Sequence, residues 1–273
     1  MFSVSAKDSY LVLVALVQSF ILCFTGYYFN ELSTLQCWLL GIISVFLIGT
    51  NFQCVAHNFI HTPFFKWDVL NKIYSIGNTL LIGVPQSIYR EHHLNHHQYN
   101  NDYRDAETGL TRDYSSIYRY SKAGNSKPES LLAYSLLGTF RTDLVQLSKR
   151  AIQHQRGKLL LLESLVMLGA LAVIAYLNLP FFLKFVIPVW YAGQVFAYAE
   201  NYLEHYGATP GDRKRNSVSC YTAWYNWVWF NNGYHQEHHY RPQEHWTTIG
   251  TIKAQLPPES ERCVVKGAHW FNL

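Results

Sequence analysis

Residues 35–61 read LQCWLLGIISVFLIGTNFQCVAHNFIH. The stretch from Leu35 to Ala56 contains no Lys, Arg, Asp or Glu. Its length matches the ~20 residues that a helix needs to cross a hydrocarbon layer about 30 Å thick. The run then ends in His57 and His61, an i,i+4 pair that shares one helix face and suits capture of a metal ion. Asn58 stands where a HExxH zinc protease has its glutamate, which argues against that chemistry. The pair is a weak signal alone; its place at the mouth of a span directs attention to the other histidines.

Working outward, three more stretches have the same character. Residues 10–29 are apolar and uncharged, 159–177 are interrupted only by Glu163, and 180–203 carry Lys184 near the start and Glu200 near the end. With 35–56 they form two hairpins, turning at Asn30–Thr34 and Asn178–Pro180. The first apolar run exceeds the 7–15 residues of a signal-peptide core, and no small-x-small cleavage site follows, so it reads as a retained span. Thirteen Lys and Arg lie between His57 and Lys158, and seven lie after Leu203, whereas the Asn30–Thr34 turn has none. Basic loops stay cytoplasmic, so both long segments and both termini are expected there.

Composition agrees. Apolar residues make up 49% of the 273 residues and charged residues only 15%, against a usual charged share of about 25%. Mean hydropathy is −0.05, so a large polar part accompanies the spans. The net charge of +4 comes from scattered basic residues, which argues against nucleic acid as a partner. The five cysteines show no CxxC pair and are expected to be reduced and structural. The expected fold is all-α and integral to the membrane: four spans in two hairpins, with a histidine-rich cytoplasmic cap built from 57–158 and 204–273, as one domain over 1–273. Within the cap, Leu131–Gln155 looks helical, and Asn100–Lys127, with Gly124-Asn125-Ser126, looks loop-like. The run Trp224–Phe230 is expected either at the membrane interface or packed under the cap.

All thirteen histidines fall on the cytoplasmic side of this map. His92, His93, His96 and His97 crowd into Arg90-Glu-His-His-Leu-Asn-His-His97, a density that core packing does not explain. His235-Gln-Glu-His238-His239 repeats the HxxHH pattern of His93, His96 and His97. His205, just past the fourth span, stands level with His57 and His61. These ten imidazoles exceed the three or four protein ligands of one zinc, whereas two five- or six-coordinate metals accommodate them with positions to spare. Imidazole suits Zn, Cu, Fe and Ni alike. A site at a span mouth meets an apolar chain rising from the lipid, and attack on an unactivated C–H bond calls for a redox metal. Ligating histidines usually donate their second N–H to a carboxylate or carbonyl. Glu91, Asp102, Asp105, Glu200, Glu204 and Glu237, with Asn201, are near enough in sequence to form that supporting layer, Glu200 above all because it ends a span.

At these residues the chain resembles the membrane fatty acid desaturase superfamily, whose HxxxH, HxxHH and later HxxHH boxes are separated by membrane hairpins. The boxes correspond to His57/His61, His92 or His93 with His96/His97, and His235/His238/His239. Asn201-Tyr-Leu-Glu-His-Tyr-Gly207 and Glu91-His92 with His96-His97 are similar to elements of the alkane hydroxylase branch; Arg90-x-x-His93-x-x-His96-His97 followed by Asn101 is similar to the desaturase form. One of His92 and His93 then stands behind the ligands rather than among them. The resemblance implies two iron ions cycling between Fe2+ and Fe3+, O2 as co-substrate, a lipid or fatty acyl substrate, and a separate ferredoxin, rubredoxin or cytochrome b5 type donor. Desaturation is the implied outcome, with hydroxylation or oxidative decarboxylation as the alternative on the same scaffold. A histidine-rich membrane metal-binding protein or transporter is a reading from another class, but transporters carry ionisable residues near the membrane midplane, and these spans are nearly free of them. A membrane zinc hydrolase needs fewer ligands than are present.

Overall fold

A computed structural model describes residues 1–121 and 127–273. The Gly124-Asn125-Ser126 turn expected from sequence falls outside them. The chain divides into two compact units, Met1–Glu91 with Leu144–Ala197, and His92–Asp143 with Tyr198–Leu273.

The first unit holds most of the four long apolar helices. Helix α1 (Asp8–Tyr28) is followed by α2 (Thr34–Thr50), whose start is fixed by a capping box: the Gln36 N–H donates to Ser33 Oγ, and the Ser33 N–H to Gln36 Oε1 at 2.8 Å. α2 continues through a π-helical turn at Asn51–Ala56 into α3 (His57–His61). The second span is therefore one helix from Thr34 to His61, five residues longer at its end than the apolar run suggested, with both histidines on it. α8 (Gly157–Leu177) is the third span; α9 (Leu179–Phe181), a π-helical turn at Phe182–Val186 and α10 (Ile187–Leu203) form the fourth. Asn178 Oδ1 accepts from the Phe181 N–H and starts the latter after the predicted turn.

Large apolar side chains such as Leu16, Phe20, Trp38, Leu165 and Leu168 lie on the outside of these helices, the arrangement expected where the solvent is lipid. Between α2 and α10, contact runs through small residues: a Cβ on Gly193 would meet Ile48 Cγ2 at 2.4 Å, and one on Gly49 would meet Phe196 at 2.2 Å. Ile48, Phe52, Phe185, Val189 and Trp190 form the apolar core there. α4 (Asp68–Ile82) packs on α8 and ends at Gly83, whose φ of 71° suits glycine and whose bare Cα lies against Trp190. Amides supply the glue: Asn51 Nδ2 donates to Gln18 Oε1 and Asn78 Oδ1, both at 2.8 Å, Asn78 Nδ2 to Gln86 Oε1 at 2.9 Å, and Gln18 Nε2 to the Leu81 carbonyl. Inside α8, Glu163 accepts from Ser75 Oγ at 2.6 Å and the Ser87 N–H at 2.9 Å. α7 (Leu144–Gln153) packs beside α8.

The second unit is shorter-ranged. α5 (Gln86–Tyr99) leads into it, and residues 100–121 follow without helix or strand, as the polar sequence predicts. α6 (Leu131–Arg141) is distinct from α7: Thr142 is extended (ψ 121°), so the helix expected over 131–155 is broken at its middle. The tail contains α11 (Ala223–Val228), α12 (His235–Tyr240), short 3₁₀ turns, and two-residue strands β1 (Ser219–Cys220) and β2 (Val264–Val265) paired in parallel. The aromatic run divides, with Tyr225 and Trp229 buried and Trp227 82% exposed. None of the five cysteines forms a disulfide.

Candidate metal centre

The helical period decides which imidazoles meet. On α5, His93 and His97 are one turn apart, and their Nε2 atoms approach to 3.0 Å. His238 of α12 brings its Nε2 to 2.9 Å from that of His97. A second group forms beside it in the same unit. His96 Nε2 lies 2.9 Å from His205 Nε2, His235 Nε2 lies 3.3 Å from the same atom, and His239 completes the set. The ligand atoms of His93, His97 and His238 are within 4.8 Å of one another, as are those of His96, His205 and His239. In the first unit, His57 and His61 are buried on one helical turn with ring centroids 5.4 Å apart.

The second group tests whether a metal fits. His205 Nδ1 is 3.0 Å from the Asn216 carbonyl, which can only accept, so Nδ1 carries the proton. His96 Nδ1 meets Asp113 Oδ2 at 2.7 Å, and His239 Nδ1 meets Asn100 Oδ1 at 2.9 Å. His205 and His239 therefore turn an Nε2 lone pair inward, beside His96 Nε2. His239 Nε2 is buried with no hydrogen-bond partner. A cation among the three rings relieves that cost, so the residues fit a metal. Burial, then the neighbouring His96, lowers the His205 pKa to about 3, and burial holds His239 well below the usual imidazole range. Both rings are neutral at pH 7, the form that ligates.

Asp113 anchors this arrangement. Burial works against its charge, but His96 and Ser115 outweigh that and hold it well below the usual carboxylate range. Oδ2 accepts from His96 and the Asn101 N–H, and Oδ1 accepts from the Ser115 N–H and Oγ. Asp113, Asn100 and the Asn216 carbonyl were not legible in the sequence. They lie in irregular backbone, where no period predicts contact, and Asn100 and Asn101 take φ of 52° and 58°, which asparagine tolerates.

The other expected residues are distributed as follows. His92 lies apart from both groups, its ring edge-on to Tyr198 at 6.3 Å. Asp105 is exposed and caps its own turn, accepting from Glu107 and Thr108. Glu91 is buried in the first unit against Arg90 and His154. Asn201 Nδ2 donates to Tyr134 Oη at 2.6 Å. Glu204 accepts from Asn232 Nδ2 at 2.7 Å and lies 3.7 Å from His235 Nε2. Glu200 accepts from Tyr225 Oη at 2.7 Å. His269, outside the expected set, completes a buried cluster with Glu200 and Glu204. Burial disfavours its charge, yet the two carboxylates prevail and raise it to about 10. His269 Nε2 points at the Val218 carbonyl, so this histidine braces the acids.

The fatty acid desaturase family model matches residues 33–266. Over 251 residues the chain is 24% identical to a sphingolipid delta(4)-desaturase of Schizosaccharomyces pombe (strain 972 / ATCC 24843). That match covers 86% of this chain and 66% of the relative, so the chain spans just under two-thirds of the relative's length. No solved structure matches.

Proposed function

The chain belongs to the fatty acid desaturase family, and from that premise we propose that it is a membrane di-iron oxidase that uses O2 to desaturate a long acyl chain. The observation that carries the reading is the set of imidazoles whose Nε2 atoms converge while their Nδ1 atoms are held from behind. On the family pattern, His57, His61, His93, His96, His97, His205, His235, His238 and His239 are the proposed ligands, and His92 is proposed to stand behind them. Iron so held supplies one-electron chemistry with O2, which side chains cannot.

The protein's own part is positional. Asp113 keeps the Nδ1 proton on His96, so that Nε2 stays available as a donor atom. The Asn216 carbonyl does the same for His205, and Asn100 for His239. Glu204, fixed by Asn232 and His269, is placed to steady His235. Burial of these rings excludes the water that would otherwise compete for the site. The sphingolipid relative supports a lipid-linked acyl chain as substrate, with electrons from a separate ferredoxin, rubredoxin or cytochrome b5 type carrier. The basic segments support cytoplasmic termini. Hydroxylation is the second reading, favoured by Asn201–Gly207 and its resemblance to the alkane hydroxylase element.

Iron and zinc per chain, measured on detergent-purified protein grown with ample iron, test the proposal. About two irons are expected, with both lost in His96→Ala, and unsaturated product is expected from supplied acyl lipids. About one zinc with no iron would remove the oxidase reading.

A further inference from the structure

The first unit contains a half-open cavity of about 310 Å³, within the range of small-ligand pockets, that the proposed chemistry does not use. It lies where the second span ends and the third begins, because Phe59, Ile60 and Pro63 line it from one and His154, Arg156 and Leu159 from the other. Its walls differ in chemistry. Phe59, Ile60 and Leu159 form an apolar side, whereas Lys72, Arg90 and Arg156 bring three cations.

Those charges are incompletely matched. Lys72 pairs with Asp68 at 2.7 Å. The single carboxylate of Glu91 serves Arg90 at 2.5 Å, His154 at 2.6 Å and, more distantly, Arg150 at 3.9 Å. Glu163 lies deeper, its oxygens taken by Ser75 and Ser87. Among the described residues, the Arg156 guanidinium makes no hydrogen bond or ion pair within 4 Å. Of the cations that line the cavity, Lys72 and Arg90 therefore each meet a carboxylate within ion-pair distance, and Arg156 meets none. Burial, and then the charge of Arg90, disfavour protonation of Arg156, and the carboxylates of Glu163, Glu91 and Asp68 offset this only in part from a distance.

We propose that this cavity binds the phosphodiester head group of a membrane phospholipid, with Arg156 and Lys72 on the phosphate and the first carbons of the tail along Phe59, Ile60 and Leu159. A phosphodiester carries one negative charge, enough for the one lining cation without an ion-pair partner, and a guanidinium fork matches its oxygens. Basic pockets between span ends at the membrane surface suit such head groups, and a tail leaving along the apolar side stays in the lipid. Head-group binding here does not require the proposed oxidation.

The test is thermal unfolding of the detergent-purified full chain, titrated with dihexanoyl phosphatidylglycerol, dihexanoyl glycerol or inorganic phosphate. Saturable stabilisation by the phospholipid alone is expected, with binding weakened about tenfold or more in Arg156→Gln and less in Lys72→Gln. Arg156→Lys, which restores charge without the fork, should recover part of the affinity. An equal response to dihexanoyl glycerol would reduce the site to an apolar groove and overturn the proposal. Saturation by inorganic phosphate at the same concentration would assign the site to a soluble anion and overturn the lipid source. Unchanged phospholipid binding by both Gln variants, with unliganded melting temperatures like the parent's, would overturn the placement. Because no arm reads catalysis or metal content, failure here leaves the oxidase reading untouched, and the converse holds.

Discussion

The two units bury polar groups in different ways. In the first, amides close on amides: Gln18, Asn51, Asn78 and Gln86 share one network that leaves only Asn51 Oδ1 and Gln86 Nε2 over, and Glu163 is met by two donors. In the second, the histidine network stops one atom short. Each of His96, His205 and His239 is satisfied at Nδ1, while their Nε2 atoms converge and that of His239 is left without a partner. A buried donor and acceptor that meet cost little, whereas a buried lone pair left over is expensive. The first pattern therefore belongs to folding, and the second to a bound cation.

Substitutions can break this contrast. The largest effect is expected at His239→Ala, which removes one inward lone pair: metal content and activity should fall by about 100-fold or more, measured by elemental analysis and product formation. Asp113→Asn should be milder, with metal affinity about 10–100-fold weaker, because an amide keeps the contact to His96 Nδ1 but loses the charge that enforces the tautomer. Acid should separate folding from ligation in the metal-free protein. His205 titrates near 3 when folded and near the ordinary 6.5 when unfolded, so the unfolded chain binds more protons between these values. Stability from this group is intact above about pH 6.5 and falls continuously towards pH 3, with His239 adding in the same direction; melting temperatures from pH 7 to 4 read it.

In the first unit, Asn51→Leu orphans Gln18 Oε1 and Asn78 Oδ1 and should cost about 1–3 kcal/mol in unfolding measurements, with iron per chain unchanged. Asp105→Ala is the smallest change. It loses only exposed turn bonds, so a cost of at most about 1 kcal/mol and full metal content are expected. A loss of metal in this variant would place Asp105 in the site after all.

The four spans, their pairing and the crowding of histidines were legible because each rests on a local rule. Charge-free runs of sufficient length mark helices in lipid, and i,i+4 spacing puts His57 with His61 and His93 with His97. What supports the imidazoles was not legible. Asp113 lies 17 residues from His96 in irregular backbone, and Asn216 reaches His205 through a carbonyl, a group every residue possesses. Sequence proximity favoured Asp105 and Glu91 instead, yet Asp105 turns to its own loop and Glu91 to Arg90 and His154. The adjacent His92 and His93 could not be told apart by spacing; neighbours on a helix point about 100° apart, and only the fold shows that His93 joins His97 and His238.

The π-helical turn at Asn51–Ala56 has a consequence for how such a chain can change over time. An α-helix is a ruler with fixed pitch: each residue advances about 100° and about 1.5 Å, so a span and anything mounted on its end share one phase. A widened turn absorbs an extra residue locally and breaks that lockstep. The lipid-facing stripe of Thr34–Thr50 and the imidazoles of His57 and His61 can therefore drift independently under selection. Deleting one residue within 51–56 would let the widened turn close to the ordinary pitch and leave both rings near their present phase. The same deletion within 34–50 has no such slack and would turn the lipid-facing stripe about 100° relative to His57 and His61.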